Sequence, residues 1–81
     1  MLTMTKKQIR LQSIEEVKEF VNAASECEFD IDIYYNRVVI DAKSILGVLS
    51  LDLTKVLTVE YDGFHANFEH FLETHKAESA A

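Results

Sequence analysis

Few side chains in this sequence could carry chemistry. Three histidines, His65, His70 and His75, one thiol, Cys27, and the hydroxyls of Ser13 and Ser44, each set before an apolar run, make up the reactive inventory. The histidines recur every five residues, which on a helix turns each about 140° from the last. They cannot share a face or form the i, i+4 pair of a metal-binding helix, and they read as surface or flank residues. Cys27 has no second cysteine with which to form a disulfide or a zinc cluster. It sits between Glu26 and Glu28, whose charge disfavours a thiolate, so it reads as structural. The carboxylates are scattered, Asp30 and Asp32 on a strand and Glu15 and Glu16 at a helix start. No base, nucleophile and orienting group come together, and no ligand-rich loop suits calcium. The reading is of a chain that is not an enzyme, with no cofactor and no metal.

The two serines are helix signals first. Ser13 followed by Glu16 is a capping box, each side chain satisfying an orphan backbone N–H, and Ile14, Val17, Phe20, Val21 and Ala24 then form an apolar stripe at helical spacing. Ser44 opens "SILGVLSLDL" as an N-cap, a role worth about 1 kcal/mol.

Around these serines the pattern supplies strands. Residues 4–11, "MTKKQIRL", read as an edge strand with its lysines on one side. In "EFDIDIYY" the residues Phe29, Ile31, Ile33 and Tyr35 alternate with polar neighbours, a strand with one buried and one wet face. Asn36 and Arg37 form a tight turn into "VVIDA", where Val38 and Ile40 extend the buried face. After a short helix from Ser44 comes the strand "VLTVEY", the turn Asp62-Gly63, and a last helix, "FHANFEHFLETH", with Phe64, Phe68, Phe71, Leu72 and His75 along one side. The order strand, helix, strand, strand, short helix, strand, helix predicts an α+β fold: an open-faced sandwich of a four-stranded antiparallel sheet with helices on one face.

The 81 residues allow one domain, with a core over about 3–74 and a frayed tail at 75–81. A net charge of −6, from 14 acidic against 8 basic residues, opposes general nucleic-acid binding. No apolar run approaches the roughly 20 residues of a membrane span, and the first ten residues lack a signal peptide's apolar core. The cytoplasm is the expected compartment.

The element order, with Lys43-Ser44-Ile45-Leu46-Gly47 and Ser50-Leu51 at its centre, resembles HPr, the phosphocarrier of the bacterial sugar phosphotransferase system, in its Gram-positive form. The resemblance covers about residues 3–74 and is strongest over 42–51. The family carries phosphate on a histidine at the start of its first helix, inside a Leu-His-x-Arg-Pro-Ala motif. Counting back from Phe20 and Val21 sets Ser13 at the histidine position, Glu15 at the arginine position and Glu16 at the proline position. Neither acceptor nor cation is present, and Glu15 and Glu16 repel an incoming phosphoryl group. The chain is similar in this to the catabolite-repression HPr-like proteins, which also lack the histidine but keep the arginine.

The resemblance implies further roles at the short helix. Ser44 matches the serine marked by a dedicated HPr kinase in Gram-positive members, where a phosphate would meet backbone N–H donors, with Lys43 assisting and Asp41 opposing. Ile45, Leu46 and Leu49 match an exposed apolar docking surface, beside Lys43, while Val48, Leu51 and Leu53 belong to the core. The expectation is therefore a regulatory, protein-binding HPr-like module that has lost histidine phosphotransfer and has HPr kinase or phosphotransferase-system proteins as partners. Two alternatives stand beside it: a phosphocarrier with an unusual acceptor, and a self-associating domain that forms a homodimer through the aliphatic cluster or the first strand.

Overall fold

The computed structural model describes residues 4–77. Seven elements follow in the expected order: β1 (Thr5–Ile9), α1 (Ile14–Ser25), β2 (Ile31–Tyr35), β3 (Val38–Asp41), α2 (Ile45–Leu49), β4 (Leu57–Tyr61) and α3 (Ala66–Thr74). The sheet runs β1-β4-β2-β3, every neighbouring pair antiparallel. One face carries the helices and the other is open, the α+β open-faced sandwich that the pattern predicts.

Alternation in the strands and the helical stripes explain the core. Ile31 and Ile33 from β2 and Leu57, Val59 and Tyr61 from β4 point under the helices, where Val17, Phe20, Val21 and Ala24 of α1 and Phe68 and Leu72 of α3 meet them. Aromatic rings knit the layers: Phe20 lies 6.0 Å from Phe68 and 5.8 Å from Phe71, and Tyr61 meets Phe68 edge-on at 5.3 Å. Tyr61 is fully buried, so its hydroxyl needs an acceptor. Glu69 of α3 supplies one, and its second oxygen takes the Lys7 ammonium at 2.9 Å, tying α3 to β4 and β1.

Several expectations need correction. The lysines of β1 do not share a side: Lys6 faces solvent, whereas Lys7, one residue on, turns under the helices to Glu69. Ile14 is 59% exposed, because the first turn of α1 projects past the core. Val38, beside the hairpin turn at the sheet's outer strand, is also exposed. Phe64 is exposed as well, since α3 starts only at Ala66, with His65 as its N-cap. Leu53 is half-buried, packing on the core's rim rather than within it.

The expected frayed tail also differs. Ala77 N–H donates to Gln8 C=O at 2.9 Å, Arg10 N–H to His75 C=O at 3.0 Å, and Lys76 bridges Ile9, so residues 76–77 run along the outer side of β1. Residues 78–81 of that tail lie outside the described residues.

Two turns have clear local causes. Asn36 takes φ 51°, a left-handed conformation that asparagine tolerates better than most residues, and closes the β2–β3 hairpin. Gly63 lies against Phe29, whose ring a Cβ there would overlap. Phe29 in turn stacks on Tyr61 at 5.7 Å.

Candidate functional site

Two places present chemistry at the surface: the start of α1 and the short helix α2. At the first, Ser13 is the N-cap, and its Oγ accepts from Glu16 N–H at 3.1 Å. Glu16 returns the contact one residue earlier than a standard capping box, its Oε1 accepting from Gln12 N–H at 2.8 Å rather than from Ser13. Glu15 is exposed and reaches Lys18 only at 4.0 Å. The positive end of the α1 dipole is thus met by two carboxylates of its own first turn.

Beside this helix start lies a groove of about 420 Å³, lined by Arg10, Gln12, Glu16, Val56, Thr74, His75, Lys76 and Ala77. Arg10 Nε is buried there without a hydrogen-bond partner among the described residues. Arg10 lies three residues before Ser13, but Lys76 comes from a chain segment that the sequence does not link to either. They meet here because residues 76–77 pair with β1, a contact that no local pattern signals.

The histidines are not brought together. His75 stacks on Phe71 at 3.9 Å, with Nδ1 3.0 Å from Phe71 O. His65 caps α3 without a side-chain cap bond, and His70 is exposed. Among the described residues, no group of three or more His, Cys, Asp or Glu side chains is placed to hold a metal ion. Cys27 is buried, its Sγ 3.6 Å from Ala23 O. Burial is the main cause that raises its thiol pKa, with Lys43 opposing and Glu26 and Glu69 adding to the rise. Of the two adjacent carboxylates emphasised by the sequence, only Glu26 contributes, as a lesser effect than burial.

At α2, Asp41 Oδ1 accepts Lys43 N–H at 2.9 Å, and Asp41 C=O accepts Ser44 N–H at 3.0 Å, a turn that delivers Ser44 to the N-cap. Ser44 Oγ accepts Gly47 N–H at 3.2 Å and is exposed. Gly47 fits closely over β3: a Cβ there would stand 2.7 Å from Ile40 Cγ2. The Lys43 ammonium is committed elsewhere, donating to Cys27 C=O at 2.9 Å beyond the end of α1, where a cation complements the dipole. Val48 is fully buried and Leu51 nearly so, whereas Ile45, Leu46 and Leu49 are exposed, Leu46 by 80%. One short helix thus divides into an anchoring side and an apolar surface open to solvent.

The fold and these two places define a small open-faced α+β module with helix starts at its surface. A family model described as "PTS HPr component phosphorylation site" matches residues 15–68, about two thirds of the chain. The chain belongs to the HPr family, the phosphocarrier family of the phosphotransferase system. The match begins two residues past Ser13. No curated protein matches the sequence. Among solved structures, the chain is similar to a phosphocarrier protein HPr from Bacillus anthracis, at 24% identity and TM-score 0.65, covering 90% of this chain and 93% of that one. It is also similar to HPr-C-His from Thermoanaerobacter tengcongensis, at 21% identity and TM-score 0.68, covering 90% and 89%. At these identities the likeness to both structures is one of fold.

Proposed function

We propose that this HPr-family chain does not carry phosphate at the start of α1 and works as a protein-binding regulatory module. The observation that supports this most is the make-up of that helix start. Ser13, Glu15 and Glu16 stand where the family has its histidine, arginine and proline, and Ser13 and Glu16 spend their hydrogen-bonding capacity on capping. A phosphoryl group there would face like charge and lose the Glu16 N–H as a donor.

Binding runs through α2, by Ile45, Leu46 and Leu49, an exposed apolar cluster of the kind that marks a contact surface. Ser44 at its N-cap is the phosphorylation site, and HPr kinase or another phosphotransferase-system protein is the partner. A phosphate on Ser44 Oγ would sit against the α2 N–H groups and change the charge beside the cluster. No helix of the described residues is long and apolar enough to cross a membrane, and the cytoplasm is the compartment proposed.

One observation favours a second reading, a phosphocarrier with an unusual acceptor: Arg10 and Lys76 line the groove beside α1, cations that would suit a phosphoryl group. A single experiment separates the readings. The chain is incubated with ATP and a Gram-positive HPr kinase, and separately with phosphoenolpyruvate and the first enzyme of the phosphotransferase system, and intact mass is measured. One phosphate from ATP alone, absent in Ser44→Ala, is the expected result. A phosphate from phosphoenolpyruvate would overturn the loss of phosphotransfer. No phosphate from either donor would remove Ser44 from the proposal.

A further inference from the structure

The two outer strands of the sheet are treated differently. Along β1 the outer side is occupied by residues 76–77 through backbone hydrogen bonds. No strand among the described residues pairs with the outer side of β3. An uncovered edge strand is a template for pairing with another chain.

The hydrogen-bonding groups that β3 offers can be counted from the hairpin. Tyr35 opposes Val38 across a two-residue turn, and pairs alternate from there. Val38 and Ile40 therefore aim their backbone groups inward at β2, while the Arg37 C=O and both backbone groups of Val39 and of Asp41 aim outward. The outward C=O of Asp41 is already taken by Ser44 N–H at 3.0 Å. Arg37 C=O, Val39 N–H and C=O, and Asp41 N–H remain along the edge.

The side chains of Val39 and Asp41, in register with Tyr34 and Asp32, lie on the open face. Val39 is 59% exposed. Arg37 is exposed and has no ion pair among the described residues. Asp41 ends a row in which Glu60, Asp32 and Asp41 stand opposite one another on adjacent strands, with Lys6 at the far end. Like charges facing across strands are unfavourable, so this row would gain from a cation at its β3 end.

We propose that β3 pairs with β3 of a second copy, antiparallel and centred on Val39, to make one continuous eight-stranded sheet. In this register Val39 and the partner's Val39 exchange two hydrogen bonds, and each Asp41 N–H donates to the other copy's Arg37 C=O. Every remaining edge group is used. Arg37 falls opposite the partner's Asp41 at both ends, bringing a guanidinium to each acidic row, and Val39 packs on the partner's Val39. Centring the pair on Ile40 would call on the committed Asp41 carbonyl, and centring it on Val38 would set Arg37 against valine. The contact is isologous and closes on itself. With four hydrogen bonds and a small area, it forms at high protein concentration. It uses neither α2 nor Ser44 and stands whether or not the functional reading above does.

The test is sedimentation equilibrium of the full chain from micromolar to millimolar concentration, with circular dichroism confirming that each variant is folded. A concentration-dependent dimer is expected. Arg37→Glu replaces two attractive pairs by two repulsive ones and should raise the dissociation constant about tenfold or more. Val39→Cys should cross-link to itself on mild oxidation, since opposed Cα atoms in such a pair lie about 5.5 Å apart. Leu46→Glu should leave the dissociation constant unchanged. A chain that stays monomeric at millimolar concentration would overturn the proposal. So would a dimer indifferent to Arg37→Glu, or one broken by Leu46→Glu.

Discussion

Glu69 holds three elements together, and its removal tests how that is done. In Glu69→Ala the Tyr61 hydroxyl, on a side chain with no exposed surface, loses its acceptor in the middle of the aromatic cluster. An unsatisfied buried hydroxyl costs about 1–3 kcal/mol. The Lys7 ammonium also loses its partner, but both side chains of that pair are partly exposed, 37% and 22%, and such a pair contributes about 0.5 kcal/mol. The sum is about 1.5–3.5 kcal/mol, centred on about 2.5, a large share of the stability of so small a domain. Urea unfolding followed by far-ultraviolet circular dichroism would read it. With a slope of about 1 kcal/mol per molar for a chain this size, the midpoint should fall by about 2–3 M at constant slope. Glu69→Gln keeps an oxygen for Tyr61 and should cost only about 1 kcal/mol. Tyr61→Phe combined with Glu69→Ala should cost less than the two single changes added together, because no hydroxyl is then left stranded. If Glu69→Ala shifts the midpoint no further than Glu69→Gln, or the double variant is strictly additive, the buried hydroxyl is not what Glu69 satisfies.

Three further outcomes are expected. Val48→Ala, on the buried side of α2, should cost about 2 kcal/mol, while Leu46→Asp, on the exposed side, should stay within about 0.5 kcal/mol; chemical denaturation of both distinguishes anchor from surface. Ser13→Ala removes the acceptor of Glu16 N–H and should lower stability by about 1 kcal/mol, measured the same way. Alkali should destabilise the fold. Burial raises Cys27 above its ordinary 9.0, and burial together with the Glu69 hydrogen bond raises Tyr61 above its ordinary 10.0. The unfolded chain gives up these protons first, so this stability is fully present below about pH 9 and is lost as pH climbs through 10 and beyond. Thermal melts across that range should fall with pH, and Tyr61→Phe should flatten the upper part.

Much of this protein was legible because the relevant forces are local. The alternation of "EFDIDIYY", the stripe of Val17, Phe20, Val21 and Ala24, and the caps at Ser13 and Ser44 each depend on neighbours within a turn or a strand. Those elements stand where the pattern puts them. The division of α2 into a buried Val48 and an exposed Leu46 was legible too, because a helix of two turns cannot bury every face.

Tertiary structure alone decided the rest. Lys7 faces Glu69, 62 residues away, and Lys43 caps the end of α1 rather than attending Ser44. Ile14, Val38 and Phe64 fit their local patterns but fall beyond the reach of the layer that would cover them. The groove of Arg10 and Lys76, and the contrast between a covered β1 and an open β3, arise only when residues 76–77 return to the first strand. Periodicity reports which face of an element is apolar. Whether another element arrives to cover that face, or a distant charge arrives to claim a side chain, is settled by how the layers close.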